Sequence, residues 1–345
     1  HQGTFGMTTV VAALSAFALG AFAMVGDYQV AAAVGVAAMA LLALKRVLED
    51  WLRKLTWIEL RSAIVLLAMS FILLPVLPNR PMPQLLGLNP YEIWLMTIMI
   101  AAISFAGYIA VRVAGRQRGI LITGVAAGLV SSTAVTITLA RLAKDYPAQR
   151  NLATAGALAA GATMMTRVTA VVGVFNQKLM LALLPPLLAA AAVTGIAAYI
   201  LMGRQEAAAD GSGELELKNP FELATVLKFG ALLAVIMVLA DLAKSTAGPG
   251  GIIGLAAVSG IADVDAITLA MSRQAGMELS ISLAAKAIAT AVAVNTISKA
   301  VIAWMTGGLG PGLPMAIVAL LAIAAGALAL FLVPAVGIPV GGTAG

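Results

Sequence analysis

The sequence has no cysteine and little charge, and both absences exclude whole classes of protein. Without cysteine, the 345-residue chain forms no disulfide, thiolate site or iron–sulfur cluster. Its single histidine, His1, lies in the segment 1–6 ahead of Met7, which we interpret as a vector-derived remnant, so we expect no histidine-ligated metal and no histidine base. Charged residues make up 10% of the chain, against about 25% in soluble domains. The composition therefore predicts an integral membrane protein.

Hydrophobic residues dominate what is present: they make up 61% of the chain, and the mean hydropathy is +1.02. The net charge of +6 comes from Lys and Arg that lie mostly in short loops, where they set membrane topology, so we expect no nucleic-acid partner. The segment "GLVSST" at Gly128 lacks the G-x-S-x-G pattern, and "GPGG" at Gly248 lacks the G-K-[ST] of a P-loop. We expect no enzymatic activity and no resident cofactor.

Eleven apolar segments are candidates for membrane helices, which need about 20 residues to cross. The segments are 8–25, 28–46, 57–77, 92–113, 120–142, 152–175, 179–202, 222–243, 250–272, 282–305 and 313–334.

The distribution of Lys and Arg among the loops depends on whether segments 120–142 and 250–272 cross the membrane. If every segment crosses, the positive bias nearly vanishes. If these two segments enter and return on the same side, twelve basic loop residues become cytoplasmic and four lie outside, which is a normal bias. We therefore predict two re-entrant segments, with plain spanning helices as the alternative. The four outside residues are Arg80, Lys178, Lys244 and Arg273.

Two parts of the chain resemble each other, which predicts an internal repeat. "GLVSSTAVTITLA" from Gly128 aligns with "GIADVDAITLA" from Gly260, and "NPYEIW" matches "NPFELA" further upstream. The register then holds for about forty residues, so the predicted repeats are 89–202 and 219–334. In this alignment Ser131 falls on Asp263, Thr133 on Asp265, Thr136 on Thr268, Thr163 on Asn295 and Arg167 on Lys299.

The predicted fold is an all-α integral membrane protein with two repeats, each of three spans and one re-entrant broken helix. An odd number of spans inverts the second repeat relative to the first, as in many secondary transporters, whose sites lie where broken helices meet. If both segments cross, the repeats are parallel instead. The predicted divisions are a three-helix N-terminal segment 7–88, repeat 89–202, a cytoplasmic linker 203–218, repeat 219–334 and a C-terminal tail 335–345.

Asp263 and Asp265 are acids inside an apolar segment, where an ionisable residue points to function. Asp263 also suits a capping role at a broken helix, as Ser131 does in the first repeat, whereas capping does not account for Asp265. Both acids are candidate metal ligands, because hard oxygen ligands suit Mg²⁺, Mn²⁺, Ca²⁺ or Na⁺, and protons are a further alternative. The predicted ion- or substrate-binding set is Asp263, Asp265, Thr268, Ser131, Thr133, Asn295 and Thr163.

Arg167 and Lys299 are basic residues in the middle of predicted helices, and they support two interpretations. As counter-ions they pair with the acids; as an anion site they bind a negatively charged group beside half-helix N-termini. The two interpretations predict substrates of opposite charge.

Several motifs resemble a bacterial membrane-protein family of the MgtC/SapB type, in its C-terminal domain of unknown function. They include "GRQRGILITGVAAGLVSSTAVTITLARLA", "SGIADVDAITLAMS" and "LLALKRVLEDWLRKLTWIELRSAI". The resemblance runs over about residues 8–334 and implies a multi-pass protein of the bacterial inner membrane with a link to magnesium homeostasis. Members of this family carry a further N-terminal MgtC-like bundle, which this sequence is expected to lack.

The sequence thus predicts a multi-pass transporter that carries a divalent cation, or a cation-coupled solute, through a midplane site between the repeats. The alternatives are an anion or lipid-phosphate carrier that uses Arg167 and Lys299, a channel, and a non-transporting regulatory protein. The expected partners are the lipid bilayer and a small ion or solute, and the abundant small residues allow a homo-oligomer. In the re-entrant topology the N-terminus is cytoplasmic and the C-terminus periplasmic.

Overall fold

The computed structural model describes residues 7–44, 56–85, 87–114, 120–203 and 223–332. The structure is 91% helical, and these ranges contain no β-strand, which confirms the predicted all-α class. Long apolar segments favour helices, because a helix satisfies every backbone hydrogen bond within its own segment. The predicted remnant 1–6, the linker beyond Gly203, the tail 335–345 and the second Asn-Pro motif lie outside the described residues.

The chain divides into two compact units, residues 1–63 and residues 64–345. In the first unit, α1 (Met7–Val25) is followed by α2 (Tyr28–Ala43). The Asp27 carboxylate begins α2 by accepting a hydrogen bond from the backbone N–H of Gln29 at 2.8 Å. Helix α3 (Trp57–Ala68) begins in this unit.

The second unit holds the remaining helices of the described chain. Beyond Ala68 a π-helical turn, Met69–Leu73, and a last helical turn, Leu74–Val76, complete the third apolar segment. The later helices are α4 (Pro90–Ala114), α5 (Ile120–Asp145), α6 (Arg150–Phe175), α7 (Gln177–Gly203), α8 (Leu223–Ala262), α9 (Asp265–Gln274), α10 (Ile281–Gly307) and α11 (Leu309–Leu332).

Every predicted apolar segment corresponds to helix, with limits that differ by a few residues. Six helices of the described chain are long and apolar enough to cross a membrane, so the protein is a membrane protein with several transmembrane helices. The apolar stretches of α1, α2 and α4 are shorter than that criterion. The six are Glu59–Val76, Pro147–Phe175, Gln177–Gly203, Val226–Ala262, Ile281–Gly307 and Leu309–Leu332.

Two long helices are interrupted, and the interruptions shape the second unit. Helix α5 leaves helical conformation at Ser131, where the backbone is extended (φ −160°, ψ 99°). Helix α8 is broken at Gly248, whose φ of 56° favours glycine. Beyond it, Gly251 packs against the carbonyl of Ala243, although eight residues span about 12 Å in a straight helix. The chain therefore turns back on itself at Gly248.

Glycines let the interrupted segments approach their neighbours closely. A Cβ on Gly128 of α5 would lie 2.7 Å from the Cα of Ala160 in α6. A Cβ on Gly260 of α8 would lie 2.5 Å from the carbonyl oxygen of Ala291 in α10. Both distances are too short for a side chain, so each glycine fixes an interrupted segment directly against the backbone of the following long helix.

Candidate functional site

A small polar cavity lies where the interruption of α5 meets the gap between α8 and α9. Its volume is about 70 Å³, which is room for a few waters or for an ion with part of its hydration shell. Most of the side chains around it carry oxygen or nitrogen. The lining residues are Ser131, Ser132, Thr133, Met164, Arg167, Asp263, Val264, Asp265 and Asn295.

Both interruptions are capped in the way the repeat alignment predicts. The Ser131 hydroxyl accepts a hydrogen bond from the backbone N–H of Ala134 at 3.3 Å, at the start of the second half of α5. The Asp263 carboxylate accepts one from the backbone N–H of Asp265 at 3.2 Å, at the start of α9. Two half-helix N-termini, each with a partial positive charge, therefore begin at the cavity.

The carbonyls freed on the other side of each interruption bond to side chains of the following long helix. Arg167 of α6 donates from Nη1 to the carbonyl oxygen of Leu129. Asn295 of α10 donates from Nδ2 to the carbonyl oxygen of Gly260 at 2.9 Å. The two segments thus break and are stabilised in corresponding ways.

Arg167 and Asp265 form an ion pair inside the protein, between guanidinium Nη2 and carboxylate Oδ2. The exposed fractions are 7% for Arg167 and 8% for Asp265. Arg167 therefore holds Asp265 of one interruption and the Leu129 carbonyl of the other at the same time. This ion pair is a contact of the kind that the counter-ion interpretation of Arg167 predicts.

Lys299 is a second buried cation beside this ion pair. Only 3% of the residue is exposed, and in the described part of the chain its Nζ has no hydrogen-bond partner. It interacts electrostatically with Asp263 and Asp265 and repels Arg167, although it does not line the cavity.

The structure gathers most of the predicted binding residues but separates two of them. Ser131, Thr133, Asn295 and both acids surround the cavity. The Thr163 hydroxyl instead donates to the carbonyl of Ala159 at 3.0 Å, and Thr268 lies one turn along α9, buried and outside the lining.

Ser132, Met164 and Val264 line the cavity without having been predicted from the sequence. Ser132 aligns with Val264, an apolar residue, so the alignment of the two predicted repeats carries no polar signal at that position.

The charges around the cavity limit what it can bind. Among the described residues no cluster of three or more Asp, Glu, His or Cys side chains could hold a metal. The lining has a formal charge of −1, from Asp263, Asp265 and Arg167, and Lys299 brings the group to zero. A cation here would be held by two carboxylates, hydroxyls and an amide, with Arg167 competing for Asp265.

A larger apolar groove of about 630 Å³ lies elsewhere in the second unit, between α4 and α8, beside Trp94 and Leu227. Gln84 is the one hydrogen-bonding side chain in its lining apart from the indole of Trp94, and no charged residue contributes. The groove therefore lacks the groups that would orient an ion or a polar solute.

The cavity lies inside the part of the chain that matches a known protein family. The family described as a domain of unknown function (DUF4010) matches residues 98–307, a range that contains every cavity residue. An uncharacterized protein of Aquifex aeolicus (strain VF5) is 29% identical over 181 residues, which cover 52% of this chain and 79% of that protein. No solved structure matches the chain. These matches leave the MgtC/SapB resemblance as an expectation.

Proposed function

The chain belongs to the DUF4010 family, and from this premise we propose that it is a secondary transporter of a small cation that binds in the polar cavity. The observation that carries the proposal is the convergence of two carboxylates, three hydroxyls and an amide on one small cavity at two helix interruptions. Oxygen donors of this kind bind hard cations. Interrupted helices that meet inside the membrane are where secondary transporters bind their substrates.

We propose that the segment around Ser131 is re-entrant. Gly124 and Gly128 in the first half of α5 pack against Gly156 and Ala160 of α6, so this half runs parallel to α6. The second half ends at Asp145, one short turn before α6 begins. These contacts support a segment that enters to the depth of the cavity and returns to the side from which it came.

The corresponding segment of the second repeat has the same course in this proposal. It starts at the turn of Gly248, reaches the gap at Asp263 and returns as α9. The Nζ of Lys244, before the turn, lies 3.7 Å from Oε2 of Glu278, beyond the end of α9. This contact supports a second re-entrant segment with both ends at one membrane face.

Contacts at the helix ends support inverted repeats. Asn176, at the end of α6, donates to the carbonyl of Ala275 at 2.9 Å, at the base of the second re-entrant segment. Gly307, at the end of α10, packs against the carbonyl of Ala140, towards the base of the first. The membrane face at which the second re-entrant segment starts and ends is therefore the face at which α6 ends. The face at which the first starts and ends is the one at which α10 ends.

The basic residues predicted to lie outside support the same topology. Arg273 pairs with Glu92 at the end of α9, and Lys244 pairs with Glu278 close by. Lys178 lies two residues after Asn176, which contacts the end of α9 through Ala275. Arg80 lies next to Asn79, whose side chain bonds to Asn89 at the start of α4. We propose that this end faces the periplasm of a bacterial inner membrane and that the N-terminus is cytoplasmic.

The charge of the cavity determines how a cation would bind. Because Arg167 neutralises Asp265, an incoming cation has to compete with the guanidinium for that carboxylate. A monovalent cation matches the lining charge of −1, whereas a divalent cation such as Mg²⁺ requires Arg167 to leave Asp265. We propose that Arg167 and Lys299 act as counter-ions in this exchange, and the MgtC/SapB resemblance makes Mg²⁺ the first divalent cation to test.

The proposal is tested by thermal unfolding of the purified protein with Na⁺, Mg²⁺, Mn²⁺ or Ca²⁺. A ligand at 100 times its Kd stabilises the folded protein by about 2.7 kcal/mol. We expect one cation to raise the unfolding temperature, and Asp265→Asn to remove that rise. Asp241→Asn, an exposed acid in α8, is the matched control and should retain it. Cation stabilisation that survives in Asp265→Asn would contradict the assignment.

One observation favours a second candidate, an anion or lipid-phosphate carrier. Two half-helix N-termini and Arg167 face the cavity, and Lys299 lies behind them without a hydrogen-bond partner among the described residues. Stabilisation by phosphate that disappears in Lys299→Met but persists in Asp265→Asn would select this function. Flux assays in liposomes with the stabilising ion separate a carrier from a channel or a regulatory protein.

A further inference from the structure

Helix α9 carries two buried hydroxyls, those of Thr268 and Ser272, that the cavity does not use. Their exposed fractions are 1% and 2%, and neither hydroxyl has a hydrogen-bond partner in the ranges that the structure describes. A buried polar group without a hydrogen-bond partner destabilises the folded protein. Such a cost at two positions on one short helix needs a cause.

Other threonines show that the missing bonds are not a general property of these helices. A hydroxyl in a helix commonly donates to the carbonyl four residues earlier. Thr136, the counterpart of Thr268 in the first repeat, donates to Ser132 at 2.8 Å, and the buried Thr194 donates to Ala190 at 2.8 Å. Thr268 and Ser272 thus differ from chemically similar residues of the same protein.

The two hydroxyls share a helix face with Asp265. At 100° per residue, Thr268 lies about 60° and Ser272 about 20° from Asp265 around the axis. Along the helix axis, Thr268 lies about 4.5 Å from Asp265, and Ser272 lies about 6 Å from Thr268. One water with two hydrogen bonds can bridge either distance. The three residues therefore form a polar file that starts at the cavity.

The file ends at a charged and partly exposed position. Arg273 follows Ser272 and pairs with Glu92 at the start of α4. The side chains are 40% exposed for Arg273 and 27% for Glu92, so this end of α9 is open to its surroundings.

We propose that this face of α9 is a hydrated access path, by which the cation reaches the cavity from the membrane face where Arg273 and Glu92 meet. The path rests on the proposed transport function and adds the route to it. The first repeat has no such file, because Thr136 bonds its own helix and Ala140 stands where Ser272 stands in the second. The path thus opens to one face only.

The absence of cysteine gives the path a sharp test with single-cysteine variants. Thr268→Cys and Ser272→Cys place a thiol in the file, and Ser272→Cys exchanges only oxygen for sulfur. Ala270→Cys is the matched control. Ala270 is fully buried, lies between Thr268 and Ser272 along the helix, and points about 140° away from Asp265 around the axis. Each variant is reconstituted in liposomes and treated with a charged, membrane-impermeant methanethiosulfonate reagent.

We expect the thiols at positions 268 and 272 to react roughly ten-fold or more faster than the thiol at 270, because only a hydrated thiol forms the reactive thiolate. The stabilising cation should slow the reaction at 268. Equal rates at all three positions would overturn the path. If Thr268→Cys does not fold, the comparison of Ser272→Cys with Ala270→Cys provides the test. If cation stabilisation persists with equal rates, only the path is wrong; if no cation stabilises the protein, the transport proposal fails separately.

Discussion

At the scale of single residues, the ion pair of Arg167 and Asp265 joins the two interruptions. Both residues are buried, and the same guanidinium also bonds the carbonyl of Leu129. Removing one partner of a buried pair leaves an uncompensated charge, which is more costly than removing both.

We predict that Arg167→Gln destabilises the protein by about 3–5 kcal/mol in the absence of a cation. The double variant Arg167→Gln with Asp265→Asn should recover part of that loss, because no unpaired carboxylate remains. Thermal or denaturant unfolding in detergent measures Arg167→Gln, Asp265→Asn and the double variant. Additive losses in the double variant would show that the pair is not energetically coupled.

The sequence predicts much of this site, and its failures have local causes. The repeat alignment correctly relates Asp263 to Ser131 as caps, because both must satisfy freed backbone amides. It pairs Thr163 with Asn295, but a threonine bonds its own helix and is too short to reach the interruption. What a side chain bonds depends on its length and rotamer, which an alignment does not contain.

At the scale of helices, glycine determines where interrupted segments pack. Gly128 lies against the backbone of Ala160, whereas Gly195 of α7 has no atom within 4 Å of the place a Cβ would occupy. The same residue type therefore serves close packing in α5 and has no packing role in α7.

We predict opposite effects of alanine at these two glycines. Gly128→Ala should destabilise by about 1–3 kcal/mol, because its Cβ overlaps the backbone of α6. Gly195→Ala should be neutral or stabilise by up to about 1 kcal/mol, since alanine favours helix. Unfolding midpoints of the two variants check this, and a loss of stability at both sites would contradict the packing argument.

The helix limits follow closely from the sequence, because apolar length and the flanking Gly, Pro and charged residues decide them. The interruptions at Ser131 and Asp263, and the turn at Gly248, are also indicated by local composition. Local composition does not indicate the ion pair of Glu92 and Arg273, because 181 residues separate these two side chains in the sequence.

At the scale of the whole second unit, the proposed inversion assigns loops to opposite membrane faces. Lys178 and Glu278 lie near the end of α9, where the proposed second re-entrant segment returns, and Lys144 lies at the end of α5, where the proposed first one returns. All three residues are exposed.

We predict that Lys178→Cys and Glu278→Cys react with an impermeant thiol reagent from one side of the membrane and Lys144→Cys from the other. Right-side-out and inside-out vesicles of the same cells provide the comparison. Lys144→Cys reacting from the same side as the other two would contradict inverted repeats and favour the parallel arrangement.

The formal charges of the four ionisable side chains at and beside the cavity have an electrical consequence for the proposed cycle. The formal charges of Asp263, Asp265, Arg167 and Lys299 sum to zero, so in the proposed cycle the unloaded site would change sides without moving charge through the membrane field. The loaded site carries the charge of its ion, and a potential of 100 mV acts on each elementary charge with about 2.3 kcal/mol. Transport would therefore be electrogenic, and membrane voltage, rather than the ion gradient alone, would set the direction of net flux.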